Sequence, residues 1–178
     1  MRYILATVFT ATSLMGTSAI AQTSEFPTSQ ELEDEANGVV TRIGDWQIRC
    51  VEDGANCQMF QTAQDGEGNN VVSVRMQALP EGSAAQLGVV MVSPLLTLLP
   101  RGISVAVDDG VPAAYPFSWC DQQGCYARFG LTPTQVDAFK AGSAANIDIF
   151  AITSTDTAVR ATLSLSGFTD AVTDLTGR

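Results

Sequence analysis

No histidine occurs anywhere in the chain, and lysine occurs once, at Lys140. The first absence removes the commonest general base, the commonest zinc ligand and the usual side chain that changes charge near neutral pH. Serine or cysteine nucleophiles that depend on an imidazole cannot be assembled from these residues. Cations are scarce too: 9 Lys and Arg stand against 19 Asp and Glu, a formal net charge of −10. A surface of that sign repels nucleic acid and anionic lipid headgroups, which bind where Lys and Arg cluster. The expectation is that nucleic acid is not a partner. Charged residues in total make up only 16% of the chain, against 46% hydrophobic. That balance fits a globular domain whose surface polarity comes mainly from Ser, Thr, Asn and Gln.

Beyond the N-terminus there is also no hydrophobic run long enough to span a bilayer. The most apolar stretch, "LGVVMVSPLLTLLP", carries Pro94 in its middle and falls short of the ~20 residues a spanning helix needs. It reads as a buried strand that bends or ends at Ser93-Pro94. The C-x-x-C redox motif and Gly-rich phosphate loops are likewise missing.

What is present begins with "MRYILATVFTATSLMGTSAIAQ". Arg2, an apolar stretch and Ala19-Ile20-Ala21 give the order of an export signal over residues 1–21. The expected mature chain starts near Gln22 and has no transmembrane segment. Residues 22–40 read as an acidic, flexible lead-in, 41–172 as one domain, and 173–178 as a tail.

From Arg42 the text is that of short strands parted by turns. "DWQIRC" alternates, "VEDGAN" is turn chemistry, and "CQMFQTA" returns as the partner strand. In "VVSVRMQAL" Val72, Val74 and Met76 share a face. "GISVAVDDG", "AYPFSWC", "CYARFG", "NIDIFAIT" and "AVRATLSLSGF" supply further strands. One helix is expected near residues 132–142, with Thr132 as N-cap, Pro133 at its first position and Gly142 closing it. "TDAVTDL" allows a final helical turn. The sum is an all-β, sandwich-like domain of about eight or nine strands with one short helix.

Four cysteines in an exported chain allow three disulfide connectivities. Their spacing favours the local one, Cys50 with Cys57 and Cys120 with Cys125. A tetrathiolate zinc site is disfavoured by those spacings and by an oxidising compartment. A reactive pair at "CDQQGC" would need a cation or helix terminus to lower a thiol pKa, and the segment offers Asp121 instead.

Several pieces in order resemble the invasion-associated locus B family of exported alphaproteobacterial proteins. They are "GDWQIRC", "PLLTLLPRGISVAVDDG", "YPFSWCDQQGCYARFGLTPTQVDAFKAG" and "LSLSGFTDAV", which together run from about Gly44 to Ala171. The resemblance implies a β-sandwich-like protein of the periplasm, or one associated with the outer membrane or released outside. It brings no catalytic residues and no cofactor. Only the cysteines, Trp46 and the Leu-Pro-Arg-Gly segment carry over, as scaffold.

The other chemistry-bearing residues have structural readings. Asp108-Asp109-Gly110 is a turn, and Asp65, Glu67 and Asn69 resemble the first part of a calcium loop without its later bidentate Glu. Lys140 sits where a cation suits a helix C-terminus. Among the aromatics, Tyr115, Phe117 and Trp119 share strand parity, whereas Tyr126 and Phe129 do not share a face. Tyr115, Trp119 and Tyr126 are therefore the expected interaction surface. The functional expectation is a non-enzymatic envelope protein that contacts an unidentified protein, envelope or host component. The competing expectation is a periplasmic thiol-disulfide or carboxylate-based enzyme.

Overall fold

The computed structural model describes residues 40–50 and 56–177. The expected export signal, residues 22–39 of the expected lead-in, residues 51–55 of the expected "VEDGAN" turn, and Arg178 lie outside the described residues. Alternation of apolar and polar residues writes the strands, and their burial follows it. A short hairpin joins β1 (Val40–Ile43) to β2 (Trp46–Arg49), followed by β3 (Gln58–Gln64), β4 (Asn70–Ala78) and β5 (Leu87–Ser93). β5 ends where Pro94 withdraws a backbone donor, and a 3-10 turn over Leu99–Arg101 leads to β6 (Ile103–Val107). Then come β7 (Ala113–Tyr115), β8 (Phe117–Cys120) and β9 (Cys125–Leu131), helix α1 (Pro133–Ala141), β10 (Ala144–Ala151), β11 (Ser154–Ser164) and helix α2 (Phe168–Thr176).

All pairings are antiparallel, in the order β7-β6-β10-β11-β3-β4-β5-β9-β8. Nine strands thus form the main path, as the strand count from sequence anticipates, and the β1–β2 hairpin attaches at its side through β2–β3. β3 shares its second edge: Gln58–Phe60 pair with β2, whereas β11 touches it at Gln64 alone. The two terminal strands of the path, β7 and β8, are consecutive in the chain and separated only by Pro116. The sheet therefore curls into a nearly closed, barrel- or sandwich-like shell whose ends meet at a proline, a residue suited to sheet edges.

Among the described residues two α-helices form where the sequence predicts one. α1 has the expected start, with Thr132 and Gln135 completing a capping box. α2 replaces the expected terminal turn and runs through Asp174 and Leu175. Its stripe of Phe168, Ala171, Val172 and Leu175 is buried, because the periodicity of "FTDAVTDL" suits a helix face and the sheet leaves an apolar mouth to cover. Phe168 meets the fully buried Trp46 edge-on, ring centroids 5.5 Å apart, and also packs on Phe139 of α1. The inner stripes Val72-Val74-Met76, Leu87-Val89-Met91 and Ile147-Ile149 fill the rest, each large side chain contributing about 1.5–3 kcal/mol on burial.

Two glycines explain the "GDW" and "SGF" signatures. Gly44, in the β1–β2 turn at φ +57°, lies so close to the start of α2 that a Cβ would come within 2.5 Å of the Ser166 carbonyl oxygen. Gly167, at φ +79°, has the Ile43 carbonyl oxygen 2.6 Å from where its Cβ would be. The hydrogen bond from Asp45 N to Ser166 O, 3.1 Å, fastens the contact.

Candidate functional site

All four cysteines are cross-linked, Cys50 to Cys57 and Cys120 to Cys125. The second bond joins directly opposed residues at the end of the β8–β9 hairpin. Asp121 shapes the intervening turn by accepting hydrogen bonds from the backbone N–H of Gln123 (2.8 Å) and Gly124 (3.3 Å).

One residue outside that clasp, Trp119 stands opposite Tyr126, and the two rings stack at 4.7 Å with 10° between planes. Parity along "AYPFSW" puts Phe117 and Trp119 on one face, and the structure departs from it. A bulge between Phe117 and Trp119 inserts an extra residue, so Phe117 packs against the core while Trp119 turns outward. Tyr115 is set apart from this pair. It stacks on Phe129, centroids 3.6 Å apart, and its hydroxyl accepts a hydrogen bond from Gln135 Nε2 at 3.0 Å. The sequence-predicted surface thus divides, with Trp119 and Tyr126 together and Tyr115 elsewhere.

The outer face on which Trp119 and Tyr126 lie carries residues that the sequence reading passed over. Strand register places Arg42, Gln47, Phe60, Arg75, Val90 and Arg128 on one row across β1, β2, β3, β4, β5 and β9. The next row holds Val40, Arg49, Gln58, Gln77, Gly88 and Gly130. Of the 9 Lys and Arg in the chain, Arg2 and Arg178 lie outside the described residues, and four of the others share these two rows. No Asp or Glu occupies either row. The one ion pair among the described residues, Arg160 with Asp148 at 2.7 Å, lies away from them on β10 and β11.

A cleft of about 760 Å³ opens on this face. Gly88 and Gly130 are paired across β5 and β9, and Leu79 and Ala85 of the β4–β5 connection rest against them. Those two side chains wall one end, Trp119 stands at the other, and Arg75, Val90 and Arg128 line the cleft between. The Arg128 guanidinium lies 5.9 Å from the Trp119 ring, and that of Arg49 5.2 Å from Phe60. Arg49 Nε is buried and has no hydrogen-bond partner. Burial raises the Tyr126 hydroxyl above its ordinary pKa of 10.0, with the Asp121 carboxylate adding to the rise and Arg75 opposing it.

The remaining candidates take structural parts. The Asp65 carboxylate accepts from the backbone N–H of Glu67 and Asn69 and from Asn69 Nδ2, each at 2.9 Å, and so closes its own turn. Asp108 accepts from the backbone of Ser143 and Ala144 and ties the β6–β7 turn to the end of α1. Lys140 lies in the last turn of α1. A second exposed patch also escaped the sequence reading: Leu95, Leu96, Leu99 and Ile152 gather at one tip, with Leu96 at φ +68°.

A nearly closed antiparallel shell, pinned by two hairpin disulfides and bearing an arginine-rich outer face, defines a disulfide-stabilised β protein of the extracytoplasmic type. Residues 46–176 match the model of the invasion associated locus B (IalB) protein family, and the chain belongs to that family. It is 28% identical over 163 residues to the Invasion protein B homologs of Brucella abortus strain 2308 and of its biovar 1 strain 9-941. Those alignments cover 90% of this chain and 87% of each relative. The crystal structure of invasion associated protein B from Bartonella henselae shares the fold, with a TM-score of 0.66, 18% identity, and coverage of 78% of this chain and 96% of that one.

Proposed function

We propose that the protein is exported by way of residues 1–21 and acts outside the cytoplasm, in the periplasm or at the outer membrane, as a non-catalytic contact protein. Its working surface is the outer face around Trp119 and Tyr126, and its partner is an envelope or host-side component. One observation carries the reading: a half-exposed Trp119, held in place by its stack on Tyr126 and the adjacent disulfide, stands at the end of a cleft lined by arginines. Exposed aromatics and arginines that are already ordered lose little entropy on binding, which makes them the usual anchors of interfaces. The names of the Brucella relatives agree with a role in contact.

The test is retention of the purified, oxidised protein by envelope vesicles of the producing bacterium. Retention should fall at least tenfold for Trp119→Ala and for Arg75→Gln/Arg128→Gln, and stay unchanged for Arg160→Gln on β11, outside the two arginine rows. Equal retention of all variants would remove this face from the function.

A further inference from the structure

The chemistry of the partner can be read from the spacing of the arginines. The chain is strongly acidic overall, yet the two rows across β1–β5 and β9 carry Arg42, Arg49, Arg75 and Arg128 and no carboxylate. A patch of opposite sign to the rest of the molecule attracts an anion while the surrounding surface repels one. The patch is also sparse. Adjacent strands lie about 4.8 Å apart, so Arg42 and Arg75, three strands apart, are separated by about 14 Å, and Arg75 and Arg128 by about 10 Å.

That spacing, with the neutral residues between the arginines, favours one class of polymer. A duplex strand carries a phosphate every ~3.4 Å of helix axis, so most of its charges would find no arginine and would face the acidic surface around the patch. An extended acidic peptide offers same-side carboxylates every ~7 Å. A polysaccharide with one carboxylate per disaccharide spaces its charges more widely, with neutral hydroxyl-rich rings between them. The positions between the arginines match such a chain: Gln47, Gln58 and Gln77 supply amides for hydroxyls, and Gln58 Nε2 already donates to Gln77 Oε1 at 3.1 Å. The paired glycines Gly88 and Gly130 project no side chain into the cleft, and the outward ring of Trp119 provides a flat apolar wall for a sugar ring.

We propose that this face binds a uronic-acid-bearing polysaccharide. The guanidinium groups of Arg75 and Arg128 grip carboxylates in forked hydrogen bonds, and Trp119 stacks on a neutral ring. The proposal rests on the preceding reading of this face as the working surface.

The experiment titrates the full chain, oxidised, with hyaluronan oligosaccharides, which carry one carboxylate per disaccharide. Intrinsic fluorescence reports binding, because Trp119 is exposed while Trp46 is fully buried. Calorimetry follows the variants that lack Trp119. Expected are saturable binding, its loss with carboxyl-reduced hyaluronan, and affinity that declines as salt rises. Arg75→Gln/Arg128→Gln should weaken binding tenfold or more and flatten the salt dependence. Trp119→Ala should weaken it severalfold with the salt dependence unchanged, and Arg160→Gln should change nothing. Thermal melts of each variant exclude misfolding as the cause. Absence of binding, indifference to the arginine variants, or equal affinity for polyglutamate or single-stranded RNA would each overturn the proposal. If hyaluronan fails while vesicle retention still depends on Arg75 and Arg128, the polysaccharide falls and the contact role stands. If retention is indifferent to this face, both fall.

Discussion

Trp119 and Tyr126 face each other across β8 and β9, rings stacked at 4.7 Å, one residue beyond the Cys120–Cys125 bond. Each ring limits the motion of the other, and the disulfide limits the hairpin that carries both. Trp119 is nonetheless 42% exposed, so its contribution to folding is modest. Trp119→Ala should lower the unfolding free energy by about 1 kcal/mol, the scale of an aromatic pair beyond simple burial. Urea denaturation of the oxidised protein measures it. A loss above about 3 kcal/mol would make Trp119 a core residue in the manner of a Phe or Trp truncation and weaken its assignment to a binding face.

The clasp itself closes a very short loop, with a sequence separation of 5. Chain-entropy arguments give about 2 kcal/mol for a loop of that size. Cys120→Ser/Cys125→Ser should therefore fold, with a urea midpoint reduced accordingly. Binding through Trp119 should fall further than stability does, because the freed hairpin no longer orders the stack. Equal binding in the variant would show that the sheet alone orients the ring.

Trp46 and Phe168 behave differently, since they lie fully buried and meet edge to face between β2 and α2. Phe168→Ala should cost about 3–5 kcal/mol, the usual penalty for emptying an aromatic core site. It should also release α2, seen as lost amide protection over residues 168–176 in hydrogen exchange. A double-mutant cycle with Trp46→Phe would isolate the coupling of the pair.

Tyr126 ionises above its ordinary 10.0, with burial the largest cause and the hydrogen bond and charge of Asp121 next. The folded state therefore holds this proton more tightly than the unfolded chain does. The associated stability is present below pH 10.0 and is lost as pH rises through the folded value. Asp121→Asn should bring the ultraviolet titration of Tyr126 back toward its ordinary range. An unchanged titration would leave burial as the sole cause.

Leu96 occupies the left-handed region at φ +68° and is 65% exposed. Relief of that conformation outweighs the little burial lost. Leu96→Gly should stabilise the fold by about 1 kcal/mol, read as a higher thermal midpoint. A lower midpoint would mean that contacts within the exposed leucine tip outweigh the backbone cost.

Much of the scaffold was legible because its signals are local. Thr132, Pro133 and Gly142 bound α1 by capping chemistry, Pro94 stops β5, and cysteines seven and five residues apart pair within their own hairpins. The site was legible only in part. Strand parity separates Tyr126 from Phe129 correctly, but it cannot foresee the bulge that turns Trp119 away from Phe117. The arginine rows were invisible for a related reason. Alternation in "VVSVRMQAL" and "CYARFGL" turns Arg75 and Arg128 outward, yet the pairing of Val90 with Arg128 that aligns them spans β5 and β9. Register between strands that distant in sequence depends on the whole sheet and leaves no local signature.

The hairpin location of both disulfides bears on how the chain acquires them. Four cysteines permit three pairings, and the native one joins each cysteine to its nearest neighbour in the chain. A polypeptide delivered N-terminus first to an oxidant presents Cys50 and Cys57 long before Cys120. Order of arrival then selects the correct partners without proofreading, and the second bond forms from the only two thiols left. For a chain exported as proposed above, maturation should therefore depend on an oxidase and not on an isomerase.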